Sequence, residues 1–230
     1  MTHWNETYDF VIVGSGGGGM CAALAAKDRG LNPLIIEKMD KVGGSTALSG
    51  GVLWIPNNPL MKRQGRDDSY ERARTYLDNV FNGYSSRGAS SERVDAYLKV
   101  GPRMVEFLES KGMEFHLCKF WPDYYDHLPG GESVSRSLMT KMFNLKELGE
   151  WESKLNVYPN FDIPLHPDCL HDMGLFKRTW AGKKAAMALV GRILRDIVTR
   201  SRVRGNGASL QGRMLQLVLK QQIPICHTFS

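Results

Sequence analysis

The chain has 230 residues, of which 42% are hydrophobic and 23% charged. This globular composition excludes wholesale disorder, and no run approaches the roughly 20 apolar residues of a membrane-spanning helix. The net charge of +6 is local, because residues 1–176 carry a net −4 and residues 177–230 a net +10. It is therefore no sign that the whole protein binds nucleic acid.

The N-terminus, MTHWNETYDF, has no basic region followed by an apolar run, so a cytoplasmic location is expected. Cys21, Cys118, Cys169 and Cys226 are far apart and form no C-x-x-C pair, which points to reduced structural thiols and no metal.

Tyr8 to Val13, YDFVIV, reads as a strand. It runs into GSGGGG, then into the helix-forming MCAALAAKDRG, then into a second apolar strand, LNPLIIEK, whose last acid is Glu37. Strand, glycine turn, helix, strand and acid is the βαβ dinucleotide-binding pattern. Gly14, Gly16 and Gly19 fit G-x-G-x-x-G. Gly14 permits the tight turn, Gly16 lets a pyrophosphate approach the backbone, and Gly19 lets helix and strand pack closely. The helix N-terminus presents N–H groups to phosphate, and Glu37 suits a ribose hydroxyl pair. The motif alone does not separate NAD from FAD.

A second glycine-rich segment, KVGGSTALSGG, starts at Lys41. Its small residues expose backbone N–H groups, and Ser45, Thr46 and Ser49 add hydroxyl donors. It can fold back over the same pyrophosphate and form a further wall of one site. It then changes abruptly into VLWIPNN.

VIVGSGGGGMCAALAA, IIEK and KVGGSTALSGGVLWIPNN resemble the FAD-binding half of the fumarate reductase/succinate dehydrogenase flavoprotein superfamily. SGGVLWIPNN resembles its 3-ketosteroid Δ1-dehydrogenase branch. The resemblance implies an α/β fold: a Rossmann-like FAD-binding βαβ unit with added helices, here incomplete. It implies FAD held through Gly14, Ser15, Gly16, Gly18, Gly19, Glu37, Lys38, Gly44, Ser45, Thr46, Ala47, Ser49, Gly50 and Gly51. Trp54 is expected as a core residue packed beside the cofactor.

Residues 67–82 read as a helix opened by acids and a serine cap, with Tyr70, Ala73, Leu77, Val80 and Phe81 on one face. Residues 91–99 read as another helix, and Pro102 is expected to start a third that stops at Gly112. MEFHLCKFWPDYYDHLPGG then reads as a strand followed by an irregular aromatic loop. WPDYY resembles the same branch, which implies that Tyr124 helps remove a proton from steroid carbon 2. His116 and His127 read as surface or loop residues. His166, Asp168, Cys169 and His171 fit no common zinc spacing and read as a loop.

Residues 180–200 form a basic amphipathic pattern, with Trp180, Met187, Val190, Leu194, Ile197 and Val198 on one face and Arg192, Arg195 and Arg202 opposite. A helix docked on its own domain with a solvated charged face is expected. Contact of residues 180–202 with the inner membrane surface is the sharper alternative. GNGASLQGRMLQLVLK then reads as a helix and IPICHT as a strand.

The segments expected are 1–60, the βαβ core and second glycine segment; 61–176, helices and aromatic loop; and 177–230, basic helices and a terminal strand. The activity implied is transfer of a hydride from steroid carbon 1 to flavin N5 with proton loss from carbon 2. Expected partners are a steroid-like substrate and a quinone or other electron acceptor. Alternatives are a fumarate-reductase-like enoate reductase or a non-catalytic flavin-binding fragment. In the branch resembled, the substrate domain lies beyond the position of Ser230, so a fragment with little activity of its own is expected.

Overall fold

The structure, a computed structural model, describes residues 6–118, 120–134, 136–158, 164–165 and 169–227. Its elements in chain order are β1 (Phe10–Val13), α1 (Gly17–Asp28), β2 (Pro33–Glu37), α2 (Gly44–Leu48), β3 (Leu53–Trp54), α3 (Pro59–Arg63), α4 (Tyr70–Phe81), α5 (Ser91–Ser110), β4 (Phe115–Leu117), β5 (Ser137–Thr140), β6 (Phe143–Asn144), a 3₁₀ segment (Leu145–Glu152), α6 (Cys169–Gly174), α7 (Trp180–Thr199), β7 (Val203–Arg204), α8 (Asn206–Lys220) and β8 (Ile225–His227). They form two compact units, Met1–Gly51 with Met142–Ser230, and Val52–Lys141. These follow packing in space rather than the chain-order segments 1–60, 61–176 and 177–230.

The first unit holds the α/β fold read from the sequence. β1 pairs in parallel with β2 from Phe10↔Pro33 to Val13↔Ile36, and β8 joins the other edge of β2, also in parallel. α1 crosses between β1 and β2 and buries Met20, Ala23, Leu24 and Ala26. α8 starts at the glycine pair 205 and 207 and buries Leu210, Gln211, Met214, Leu215 and Val218. Its approach to α2 is close enough to require Gly207, where an added Cβ would lie 2.0 Å from the Thr46 carbonyl oxygen.

In the second unit β5 is the central strand, antiparallel to β3 and to β4. α4 and α5 pack through Ala73, Val94 and Leu98, with Tyr70, Leu77 and Phe81 against them. Ser69 caps α4 by accepting from the Arg72 N–H at 3.2 Å, so the helix starts at Tyr70 rather than at residue 67.

The expected break at Pro102 is absent. α5 runs continuously through it, because one buried stripe of Val94, Leu98, Gly101, Pro102, Val105 and Leu108 crosses the proline. Packing of that stripe outweighs the roughly 3 kcal/mol that an interior proline costs.

A second correction concerns α7. The helix forms as read, and it is attached by the side opposite to the one expected. Gly182 is its one fully buried residue, with Ala185, Ala186, Leu189 and Ile193 half-buried along the same seam. A Cβ at Gly182 would lie 2.6 Å from the Asp172 carbonyl oxygen and from Phe176 Cα, so α6 and its following turn approach where the helix is thinnest. Trp180, Met187, Val190, Leu194, Ile197 and Val198 are all exposed. Arg192 instead turns inward and donates to the Pro164 carbonyl at 3.4 Å, and Arg202 pairs with Glu152 at 3.2 Å.

Candidate functional site

In the first unit the two glycine segments converge. Gly14 adopts φ +95° and donates its N–H to the Ile36 carbonyl at 2.7 Å, which closes the turn from β1 onto β2. An added Cβ at Gly19 would sit 2.0 Å from the Gly14 carbonyl oxygen, so α1 packs against the turn only as glycine. Gly16 is the N-cap of α1 and has no side chain with which to cap that end. Around the free rim, a Cβ added at Gly14, Gly18 or Gly50 would meet nothing within 4 Å, and one at Gly16 would meet only Thr46 Oγ1 at 3.7 Å.

The second segment lies directly on the first. Gly44 Cβ, if present, would be 3.5 Å from Gly16 Cα. Thr46 Oγ1 accepts the Gly17 N–H at 3.1 Å. Ser49 Oγ donates to the Thr46 carbonyl at 2.8 Å and accepts from the Gly51 N–H at 3.1 Å. Ser45, Ser49, Gly50 and Lys38 are exposed, whereas Ala47 and Gly51 are buried.

Glu37 ends β2 as a buried carboxylate. One oxygen accepts the Ser15 N–H at 2.9 Å and the Ser15 hydroxyl at 2.5 Å, and the other accepts the Met39 N–H at 3.0 Å. Burial by itself would raise the Glu37 carboxyl, and these hydrogen bonds more than reverse that, holding it below the usual carboxylate range. Ser15 is fully buried and also accepts the Gly43 N–H at 2.9 Å. It therefore braces the two loops and the end of β2 together, rather than standing on the open rim.

Two contributors were missed from the sequence. Gly43 has φ +109°, and a Cβ there would lie 2.9 Å from both Ala47 Cβ and Gln211 Cγ. Gln211 comes from α8, almost 200 residues after the first loop. It is fully buried, donates to the Ser15 carbonyl at 2.8 Å, and its Oε1 has no hydrogen-bond partner among the described residues. Helical periodicity marks position 211 for burial, but nothing local names the loop it meets.

These features fit a dinucleotide. Bare glycine backbone at Gly14, Gly18 and Gly50 leaves open space, the N-terminus of α1 supplies positive potential, and an ionised carboxylate stands at the end of β2. FAD would find its pyrophosphate position at the first and its ribose position at the last.

The second unit begins with VLWIPNN, the continuation of the second glycine segment. Its groove, about 700 Å³, is lined by Val52, Trp54, Tyr76, Leu77, Val80, Phe120, Trp121, Pro122, Asp123, Tyr124, Tyr125 and Ser137. Trp54 is half-buried and lines this groove, so it is not the plain core residue expected. It stacks on Tyr97 with ring centroids 6.2 Å apart, and its backbone carbonyl accepts the Tyr97 hydroxyl. Tyr124 is 98% exposed, projecting from the groove rim. His127 lies in the same loop, edge-on to Tyr125, while His116 is in β4.

Beneath the groove is a buried ionic cluster that sequence reading did not find. Arg136 is 1% exposed. It grips Asp68 through Nε at 3.0 Å and Nη2 at 2.7 Å, and donates from Nη1 to Asp123 at 2.7 Å. Asp123 also accepts the Trp54 indole N–H at 2.6 Å and the Glu132 N–H at 3.0 Å. Burial would lower the guanidinium's pKa, and the two aspartates outweigh it, keeping the group firmly charged. The cluster thus ties the WPDYY loop to β3 and β5. Asp68, read as a helix-opening acid, is spent here instead.

Among the described residues no group of three His, Cys, Asp or Glu side chains could hold a metal. Cys169 and His171 lie in α6, while His166 and Asp168 lie outside the described residues.

Residues 9–228 match the FAD binding domain family. The chain belongs to that family. This FAD binding domain is 45% identical over 145 residues to a 3-oxosteroid 1-dehydrogenase of Mycobacterium tuberculosis, covering 63% of the chain and 25% of the relative. It is 30% identical over 225 residues to a 4-oxocyclohexanecarboxylate 2-dehydrogenase of Sinomonas cyclohexanicum, covering 94% of the chain and 38% of the relative. A crystal structure of 3-ketosteroid Δ1-dehydrogenase from Sterolibacterium denitrificans, in complex with 1,4-androstadiene-3,17-dione, superimposes with a TM-score of 0.85 at 31% identity, covering 96% of this chain and 40% of that one. The FAD binding domain described here thus spans about a quarter of the length of the 3-oxosteroid 1-dehydrogenases it matches.

Proposed function

We propose that the chain is the FAD-binding portion of a flavoenzyme that dehydrogenates a 3-ketosteroid. The observation that carries this reading is the match of nearly the whole chain, at 31% identity and a TM-score of 0.85, to a 3-ketosteroid Δ1-dehydrogenase. When bound, FAD would supply a two-electron acceptor for the hydride of carbon 1.

The roles of this chain's residues follow from their chemistry. Gly14, Gly16, Gly18 and Gly19 let a pyrophosphate reach the backbone at the start of α1. Glu37 and Lys38 take the adenosine end, with Ser15 setting the Glu37 carboxylate. Gly44, Ser45, Thr46, Ala47, Ser49, Gly50 and Gly51 extend the wall with backbone and hydroxyl donors. The aromatic groove offers a flat, apolar surface suited to a steroid. The Tyr124 hydroxyl takes or relays the carbon-2 proton, and Asp123, pinned by Arg136, sets the loop that carries it.

Anaerobic mixing of the FAD-loaded chain with a 3-ketosteroid tests the reading. Loss of flavin absorbance, slowed about a hundredfold in Tyr124→Phe at unchanged FAD content, supports it. FAD retention without any bleaching supports the second reading, a flavin-binding portion with no turnover of its own. That reading is favoured by the quarter-length coverage of the relatives.

A further inference from the structure

Gln211 comes from α8, yet its side chain is wedged between the two glycine segments. A Cβ at Gly43 would lie 2.9 Å from its Cγ, and a Cβ at Gly17 would lie 3.8 Å from its Oε1. Its Nε2 donates to the Ser15 carbonyl at 2.8 Å and to Met20 Sδ at 2.9 Å, so both amide hydrogens are used, on the first segment and on α1. Oε1, by contrast, has no partner among the described residues. A fully buried amide with one end unpaired costs stability, so packing alone does not account for it.

The bond to Ser15 also aims the next N–H. The Ser15–Gly16 peptide is trans, so its carbonyl and its N–H point in opposite directions. With the Ser15 carbonyl held inward against α8, the Gly16 N–H is turned away from α8. Among the described residues that N–H makes no hydrogen bond. The other polar groups of Ser15 are equally committed: its N–H and hydroxyl go to Glu37, and its Oγ accepts the Gly43 N–H. The peptide is therefore fixed from both sides, by β2 through Glu37 and by α8 through Gln211.

We propose, resting on the assignment of the glycine cradle to FAD, that Gln211 is a positioning residue for the cofactor: by holding the Ser15 carbonyl it aims the Gly16 N–H at the pyrophosphate. Gln211 acts through that peptide and not by touching the cofactor. The donor is the Gly16 N–H, and its bond to an anionic phosphate is of the strong, charge-assisted kind. Without the amide, the Ser15 carbonyl loses its partner and the N–H its fixed direction, so the site is no longer preorganised. An ionised acid in the same place sets two oxygens against each other and puts negative charge beneath the phosphates.

Titration of the purified chain with FAD, followed by flavin fluorescence from about pH 5.5 to about pH 8.5, tests the proposal. Glu37, which shares Ser15 with the amide, is held below the ordinary carboxylate range and stays ionised throughout. Gln211→Met is expected to bind FAD about tenfold more weakly than the parent at every pH. Gln211→Glu is expected to approach the parent at the acid end, where a buried neutral acid donates its O–H to the Ser15 carbonyl. Relative to the parent it should lose about tenfold in affinity as pH rises and the acid ionises. A merely structural role lowers the melting temperature of both variants and gives no such recovery on acidification. Each variant is judged where circular dichroism shows the FAD-free chain folded, and where one does not fold the other decides alone. Gln211→Met with parental affinity, or Gln211→Glu with an affinity that tracks the parent across pH, overturns the proposal. A parent that binds no FAD overturns the cofactor assignment instead, a result distinct from a parent that binds and variants that match it.

Discussion

The two glycines of the first loop that look alike in sequence are held by different forces. Gly19 is required by the fold, since a Cβ there would overlap the Gly14 carbonyl at 2.0 Å. Gly16 has φ −68° and room for a methyl group, so the fold does not require it. Gly19→Ala should therefore lower the melting temperature clearly. Gly16→Ala should leave it within a few degrees and weaken FAD binding at least tenfold, measured by titration of flavin fluorescence.

Glu37 makes a prediction about pH. Its folded pKa is depressed, so its contribution is present above the unfolded carboxyl pKa and is lost as pH falls through the folded value. Denaturation midpoints followed from pH 7 down to pH 3 should fall more steeply for the parent than for Glu37→Gln, which has no such carboxylate to titrate. Arg136 predicts a larger effect. Arg136→Leu strands two aspartates whose side chains are 1% exposed and should cost about 3–5 kcal/mol in chemical denaturation. It should also change the emission of Trp54, which shares Asp123 with it.

At the scale of elements, most of what forms was legible, and the failures have physical causes. β1, α1 and β2 announce themselves because an apolar strand, a glycine turn and a helix each carry a local signal. Pro102 misleads because its local preference for a helix start is overridden by a buried stripe that spans it. α7 misleads in a different way: its period is correct, yet periodicity cannot say which side meets the protein. Small residues at Gly182, Ala185 and Ala186 won the close contact, and the bulky stripe was left outside. The N-cap of α4 is a local feature that sequence does expose, through Ser69. Ser69→Ala should cost about 1 kcal/mol of stability, read from urea midpoints at constant slope.

Across the whole molecule, the stretch GGSTALSGGVLWIPNN changes role at a definite point. Gly51 closes the first unit and Val52 opens the second. The small half completes a glycine cradle, and the half after it lends Val52 and Trp54 to the aromatic groove over the Arg136 cluster. The cradle could be read because its chemistry is consecutive in sequence. Gln211 and Arg136 could not, because each reaches its partners only through folding, from α8 and from the start of β5.

The central claim is that this glycine cradle holds FAD, and direct titration of the purified chain with FAD tests it most directly. After gel filtration the account predicts close to one flavin per chain, with its absorbance carried by the protein peak in the parent and lost in Gly16→Ala. A folded parent chain that emerges without flavin absorbance, or a Gly16→Ala variant that keeps it undiminished, would contradict the account.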